Sequence, residues 1–324
     1  MKEVVELSKK DREMLFAMDF DARVSYSDLA HKIDLSKQVI DYKIERLLKK
    51  GVIKDFYPVI NAPRLGYRYC RLLLTLQNVT KEKKDEIVLY LYNHEKVFWL
   101  IKTQGMYDLI FATWMRSIRE FKEFIYELED AFGAYIKRKV ETIGTEVIHY
   151  PNRFLLSTSS TKEIHISETE ERAEIDELDR KILRSLCKDA RTSYVDIGKK
   201  LKESPKVIAY RIKKMEQMKV IEGYRPNIDH NKIGYTHYKV FLTLNTFSKK
   251  ELNAVKDYLR NNPLVIYVVE GIGLPADLDI EIMIRSPEQL YGFIDDIRFK
   301  FPMLIGEYDT LIFLDTLKLK YLPF

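Results

Sequence analysis

The residues of this chain best suited to chemistry are cations. Between Ser36 and Lys54 six basic side chains (Lys37, Lys43, Arg46, Lys49, Lys50, Lys54) face two acids, Asp41 and Glu45. Further along, Lys206, Arg211, Lys213, Lys214 and Lys219 face Glu216 and Glu222. Spaced along a helix, such side chains neutralise phosphates and release counterions, which makes binding steeply dependent on salt. A second set is glycine and acid: Gly105, Tyr107 and Asp108 in one loop, and Gly271, Gly273 and Asp277 in another. Glycine admits a ligand carboxylate close to backbone N–H groups, and an aspartate receives an ammonium. Asp277, Asp279 and Glu281 alternate along one segment and so share a strand face, where exposure or ion pairing with Lys239 and Arg71 is favoured over a hard cation. Six scattered histidines show no ligand spacing, and the closest pair, His230 and His237, reads as structural. Cys70 and Cys187 form neither a CxxC nor a Cys/His pattern, so no cofactor and no metal are expected and the chain reads as a non-enzyme.

The elements that position these groups occur twice. Asp11-Arg12 through Gly66-Tyr67 recurs without a gap as Asp179-Arg180 through Gly234-Tyr235. Within that constant shift Asp21-Ala22-Arg23 matches Asp189-Ala190-Arg191, Ser25-Tyr26 matches Ser193-Tyr194, and Val52-Ile53 matches Val220-Ile221. The register slips by one residue where Gly105-Met-Tyr-Asp108 becomes Gly273-Leu-Pro-Ala-Asp277, a length change suited to a loop. Each copy opens with three helices. Ser36 and Ser204 are N-caps of the third, whose apolar positions Val39, Ile40, Ile44, Leu47 and Leu48 keep a 3.6-residue period, and Gly51 stops it. A strand-like wing toward Pro58 follows. After Gly66-Tyr67 the order is βαββαβ, repeated in the second copy, and a ferredoxin-like sandwich closes it.

The expected fold class is therefore α+β, two winged helix-turn-helix domains alternating with two ferredoxin-like βαββαβ domains. The predicted boundaries are residues 1–62 and 175–230 for the winged helices, 63–155 and 231–324 for the α+β halves, and 156–174 for a linker, Ser/Thr-rich and then charged. Phe98, Trp99 and Ile101, with Ile266, Tyr267 and Val269, supply apolar strand faces for pairing the halves or for internal core. Both an intramolecular pseudo-dimer and a homodimer are open.

In these features the chain resembles the Lrp/AsnC feast/famine regulators, over nearly its whole length and twice. Ile175-Asp176-Glu-Leu-Asp179-Arg-Lys-Ile182-Leu183 is similar to the family's opening Leu-Asp-x-x-Asp-x-x-Ile-Leu, with Asp11-Arg12-Glu-Met14-Leu15 a looser version. The Asp-Ala-Arg triplets and the Gly51-Val-Ile53 exit also match, whereas copy two has Lys219 in place of Gly51. The resemblance implies double-stranded DNA as partner, bound by the winged helices, and an effector-binding α+β domain of the RAM type. On that pattern Lys37, Gln38, Asp41 and Lys206 approach base edges, the caps Ser36 and Ser204 belong to the same DNA-binding set, and Arg23, Lys43, Arg46, Arg191, Arg211 and Lys214 meet phosphates. Because Lys37-Gln38 is replaced by Pro205-Lys206, the DNA site is expected to be asymmetric. An amino-acid effector would bind at Gly105, Tyr107, Asp108, Gly271, Gly273 and Asp277.

The function expected is sequence-specific transcription regulation. An architectural DNA-binding protein and an enzyme like the sirohaem decarboxylases, which share the two-domain arrangement, are the alternatives. Against the enzyme, the sequence displays no clustered His/Arg set in the α+β sensing domains. The first residues, MKEVVELSKKDRE, lack a signal peptide's apolar core and no apolar run suits a membrane helix, so a reducing, cytoplasmic setting without a membrane partner is expected.

Overall fold

The computed structural model describes residues 4–158, 160, 162–245 and 248–324. Copy one runs α1 (Lys9–Met18), α2 (Tyr26–Ile33), α3 (Lys37–Lys49), β1 (Ile53–Ile60), β2 (Arg68–Leu76), α4 (Lys81–Asn93), β3 (Val97–Gln104), β4 (Leu109–Met115), α5 (Ile118–Phe132) and β5 (Ile136–His149). After β6 (Ile164–Ser167), copy two repeats this as α6 (Glu177–Leu186), α7 (Tyr194–Leu201), α8 (Pro205–Gln217), β7 (Ile221–Ile228), β8 (Thr236–Leu244), α9 (Lys249–Asn261), β9 (Val265–Ile272), β10 (Leu278–Ile284), α10 (Pro287–Lys300) and β11 (Ile305–Leu319).

The helices start where their caps require. Ser8 and Asp176 form capping boxes with Asp11 and Asp179, and Ser25, Ser36, Ser193 and Ser204 each accept a backbone N–H from the first turn. Gly51 follows α3 at φ +65°, and its counterpart Lys219 takes the same left-handed conformation at φ +58°, a geometry only glycine adopts without steric cost.

Each α+β half has the ferredoxin-like strand order, β5-β2-β4-β3 in copy one and β11-β8-β10-β9 in copy two, which makes the first strand the neighbour of the third as expected. The two sheets are not separate sandwiches. β3 pairs antiparallel with β11, and β5 with β9, so eight strands close into one barrel and β6 adds to β5 outside it. The last strand of each half is longer than the sequence pattern suggests because it serves two partners in turn.

The winged helices are joined as well. β1 and β7 form a two-stranded antiparallel sheet in which Tyr57 lies opposite Arg225, and one apolar core runs through both helical units, from Met14 and Leu47 to Ile182 and Met215. The expected linker is correspondingly ordered where it is described. Ile164 and Ile166 alternate inward against Val59, and Arg172 donates to the Pro63 carbonyl at 2.7 Å. Two isoleucines at period two were too short a signal amid the surrounding charge. Ser159 and Thr161 of that stretch lie outside the described residues.

Where the halves meet, charge is buried. Arg71 of copy one reaches Asp279 of copy two at 2.7 Å, Asp279 also accepts from Lys239, and Glu281 accepts from Lys239 and His237, both at 2.9 Å. Burial alone would raise the Glu281 carboxyl, but the Lys239 charge and the His237 hydrogen bond outweigh it and hold it well below the ordinary range. Removing one partner of a buried pair leaves an uncompensated charge, at about 3–5 kcal/mol, whereas an apolar replacement of both is far milder. Asp279→Ala is therefore expected to lower unfolding free energy in urea by several kcal/mol, and Arg71→Met combined with Asp279→Ala to recover much of it; an additive double variant would show that the two do not interact.

Candidate nucleic-acid interface and internal cavity

The N-terminal turns of α3 and α8 stand at the surface. Ser36 caps α3 by accepting from Val39 N at 3.3 Å and Ser204 caps α8 through Val207 N at 3.2 Å, leaving Lys37, Gln38, Asp41 and Lys206 exposed beyond the caps. Lys37, Lys206 and the half-buried Lys214 carry no ion pair among the described residues. Tyr42 and Tyr210, at equivalent positions of the repeat, are 67% and 66% exposed. Sequence reasoning passed over them; the signal was an identical aromatic in both copies, off the apolar period of the helix.

Other expected phosphate contacts are engaged inside the protein. Lys43 and Arg46 converge on the buried carboxylate of Asp11 at 2.9 and 2.6 Å, tying α3 to the start of α1. Burial would raise the Asp11 carboxyl, yet donation from Lys43, Ser8 and Arg46 lowers it to about 2. Arg211 repeats the arrangement against Asp176 at 2.6 Å and Asp179 at 3.4 Å. A phosphate approaching any of these three must compete with a carboxylate.

Arg23 and Arg191 are placed differently from the expectation. Arg23 donates to the carbonyls of Ala190 and Thr192, and Arg191 donates to those of Ala22 and Val24. Each guanidinium also lies over aromatic rings, Arg23 over Tyr194 at 4.9 Å and Arg191 over Tyr26 at 4.4 Å. The paired Asp-Ala-Arg triplets thus form a reciprocal clasp between the winged helices, and the planar, multiply donating arginine head is spent on backbone oxygens instead of facing solvent.

The glycine–aspartate loops each pack against the last strand of the other copy. Gly105, at φ +142°, lies so close to β11 that a Cβ would stand 2.8 Å from the Leu311 Cβ, and Gly271 and Gly273 sit against the carbonyls of Ile143 and Glu141 on β5. Asp108 accepts from Leu76 N at 2.9 Å and from Lys84 at 3.2 Å, and Asp277 accepts from Leu244 N at 2.7 Å. Tyr107 is buried edge-on to Phe241. Both carboxylates are therefore already hydrogen-bonded within the protein.

A constellation the sequence concealed lies between the wing sheet and the barrel. A cavity of about 470 Å³ is lined by β1 and β7 on one side and by barrel strands on the other, and His149, His230, His237, Arg225, Tyr267 and Glu281 all contribute to its wall. The expectation of no clustered His/Arg set concerned the α+β halves, which supply His149 and His237, whereas Arg225 and His230 join them from the winged-helix side. His149 comes from the end of copy one and His230 and His237 lie close together in copy two, so it is the pairing of the two copies that brings the first to the other two. Arg225 is fixed by a two-point contact with Asp19 at 2.6 and 2.9 Å and by Tyr267 Oη at 3.1 Å. Burial, with Arg225 adding to it for His149 and His237 for His230, lowers both imidazoles to about 3, so each is neutral at ordinary pH. Among the described residues no group of His, Cys, Asp and Glu could hold a metal ion, and no helix is long and apolar enough to cross a membrane.

Comparison with known proteins agrees with this anatomy. Residues 7–54 match the winged helix-turn-helix DNA-binding family and residues 175–216 the AsnC-type helix-turn-helix domain. An uncharacterized HTH-type transcriptional regulator of Pyrococcus furiosus is 50% identical over 124 residues, which are 38% of this chain and 82% of that protein. Regulatory protein AsnC of Haemophilus influenzae is 49% identical over 61 residues, 19% of this chain and 41% of its own. The chain belongs to the Lrp/AsnC family of HTH-type transcription regulators, with the family's unit present twice. Across nearly its whole length it shares its fold with the sirohaem decarboxylase NirDL, at a TM-score of 0.62 and 12% identity, covering 96% of this chain and 93% of that one.

Two expectations follow. Arg23→Ala and Arg191→Ala should each lower stability by about 1–3 kcal/mol, since each removes charge-assisted hydrogen bonds, with the double variant non-additive; unchanged urea midpoints would mean the clasp is not a structural joint. Second, His149 and His230 titrate near 3 when folded and near 6.5 when unfolded, so unfolding takes up protons between those values. Their contribution is complete above pH 6.5 and is lost as pH falls toward 3. His165 runs the other way, since Glu163 and Glu146 raise it against burial. Melting curves should show Tm falling from pH 7 to pH 5, and less steeply once both histidines are phenylalanine; an unaltered slope would assign the acid lability elsewhere.

Proposed function

We propose that the protein is a sequence-specific DNA-binding transcription regulator that presents two unequal recognition helices from a single chain. The observation that carries this is the exposed, cationic first turn of α3 and of α8 on two winged helices locked together by the Arg23–Arg191 clasp. Lys37, Gln38 and Asp41 on one helix and Lys206 on the other would read base edges from caps set by Ser36 and Ser204, while Lys214 meets phosphate. Arg23 and Arg191 serve that interface by setting the spacing of the helices, and Lys43, Arg46 and Arg211 by holding their tilt. An amino-acid effector at the Gly105–Asp108 loop belongs to the same proposal and would have to displace Lys84 from Asp108; calorimetric titration with the amino acids tests it.

The cavity supports a second reading, in which the chain binds or transforms a tetrapyrrole. A NirDL structure is described as a co-complex with an iron-uroporphyrin III analogue, and NirDL shares the whole-chain fold. A polycarboxylate macrocycle needs several free cations, however, and in the lining Arg225 is committed to Asp19 and Lys54 to Asp229 at 3.3 Å, which leaves Lys320 as the lining cation without an ion pair among the described residues. DNA binding is therefore the better-supported function.

Selection of sites from random genomic fragments by the purified chain, at two salt concentrations, is the direct test. The expected result is one motif with unlike halves whose occupancy falls steeply with salt. Lys37→Ala should relax specificity in one half and Lys206→Ala in the other, each by about 1–3 kcal/mol, and Lys214→Ala should weaken all sequences alike. Two identical inverted half-sites would refute the unequal helices. Uniform binding of random DNA would indicate an architectural role, and no binding at either salt would move the tetrapyrrole reading to first place.

A further inference from the structure

The cavity between the paired wing strands and the barrel lies apart from both glycine–aspartate loops and from the recognition helices. Its volume, about 470 Å³, falls within the range of small-molecule sites, about 300–1,000 Å³. Its walls are flat. Phe98 and Trp114 stack at 4.1 Å with 11° between their planes, Tyr57 and Tyr321 at 4.3 Å with 6°, and Trp99 meets Phe313 edge-on at 5.8 Å. Such surfaces favour a planar ring system, with about 0.5–1.5 kcal/mol per aromatic contact beyond area burial.

Residues that line the cavity also carry polar atoms, closed off behind its surface, that have no partner. Trp114 Nε1, His149 Nδ1, Glu168 Oε2 and His230 Nε2 are each buried and unbonded, although native structures satisfy nearly all such groups. One is a donor, one an acceptor, and two are nitrogens of neutral imidazoles that serve as either according to tautomer. Charge in the interior of the wall, by contrast, is paired, while Asp315 and Lys320 stand exposed at its edge. Arg225 is held by Asp19, Lys54 by Asp229, Glu281 by Lys239 and His237, Glu168 through its other oxygen by Arg68 at 2.5 Å, and Glu146 by His165 at 3.0 Å. A charged ligand group seated among these interior residues would have to break one of these pairs.

We propose that this cavity is an effector site for a planar, uncharged heteroaromatic molecule bearing both hydrogen-bond donors and acceptors. The proposal rests on the reading of the chain as a DNA-binding regulator. Its regulatory consequence comes from position. Tyr57 and Val59 on β1 and Arg225 and Asn227 on β7 form the wing side of the wall, and β1 and β7 are the continuations of α3 and α8 through the buried Val52-Ile53 and Val220-Ile221. An occupant bridging these strands to the barrel orders the wing sheet against it and so changes how freely both recognition helices meet DNA. A ligand shifts such an equilibrium only by its differential affinity for the two arrangements, so binding and DNA affinity must move together.

The test uses the full chain and lumichrome, an uncharged, fluorescent, tricyclic heteroaromatic with donors and acceptors. Fluorescence titration is expected to show saturable one-to-one binding in the micromolar range, weakened tenfold or more by His149→Phe, which keeps the ring and removes its nitrogens. Thr316→Trp, at an exposed position on the cavity wall, should also block binding, and its unchanged circular dichroism and melting would show that the fold survives. No saturable binding to the unsubstituted chain, or binding unaffected by both substitutions, overturns the proposal, as does preferential uptake of iron-protoporphyrin. Gel shifts with the selected DNA complete the test. A threefold or larger change in DNA affinity on saturation with lumichrome supports the effector role, and unchanged DNA affinity with lumichrome bound overturns it while leaving the regulator reading intact. Lumichrome binding by a chain that forms no DNA complex at all defeats the regulator reading, and the effector role with it.

Discussion

The structure depends on the need of sheet edges for partners. A ferredoxin-like half has two edge strands, each a row of unpaired N–H and C=O groups that invites pairing with another chain. Here β3 and β5 of copy one are completed by β11 and β9 of copy two, so four edges vanish in one closed barrel. The remaining features follow. Once the barrel sets the two copies about a pseudo-two-fold axis, β1 and β7 meet across it, the Asp-Ala-Arg turns reach one another, and the two helical units share a core.

Closure within one chain fixes what oligomerisation would otherwise set. The separation of the recognition helices is a property of the fold, independent of protein concentration, and the buried charges make the pairing heterologous. Asp279 and Glu281 of copy two correspond to Ile110 and Ala112 of copy one across the one-residue slip, while the cations Arg71 and Lys239 are present in both. Two copy-one halves joined in this way would bury two arginines with neither acid. Specificity for pairing unlike copies is thus built from the penalty on the alternative, as like charges commonly do at interfaces.

What the sequence made legible was whatever repeats or has a local period. The constant shift, the serine caps, the amphipathic third helix and the βαββαβ order are each carried by neighbouring residues, and the structure bears them out. Three things were not legible, for separate reasons. Arg23 and Arg191 sit where a phosphate contact is reasonable, and only the juxtaposition of the two turns reveals their carbonyl partners. The ion pairs of Lys43, Arg46 and Arg211 require knowing that Asp11 and the Asp176–Asp179 pair lie beside the third helix. His230 and His237 stand close together in copy two, but His149 is at the end of the last strand of copy one, and no spacing rule connects it to them until the barrel closes.

The cavity shows what a tandem chain permits that a symmetric dimer does not. On an exact two-fold axis a residue meets its own equivalent. Tyr57 and Arg225 are equivalent in the repeat and lie directly opposite each other in the β1–β7 register, so this position is on the axis. A homodimer would set tyrosine against tyrosine, or arginine against arginine with two buried cations in contact. Here one side carries Arg225 with Asp19 as its counter-ion, and the other carries Tyr57, with Cys187 at the place equivalent to Asp19. The axis is thereby freed from symmetry, and a ligand without two-fold symmetry can be matched group by group across it. This is the physical reason to seek a small-molecule site between the wings and the barrel, where the two copies differ in charge, and not in the two loops, which each copy builds separately against its neighbour's last strand.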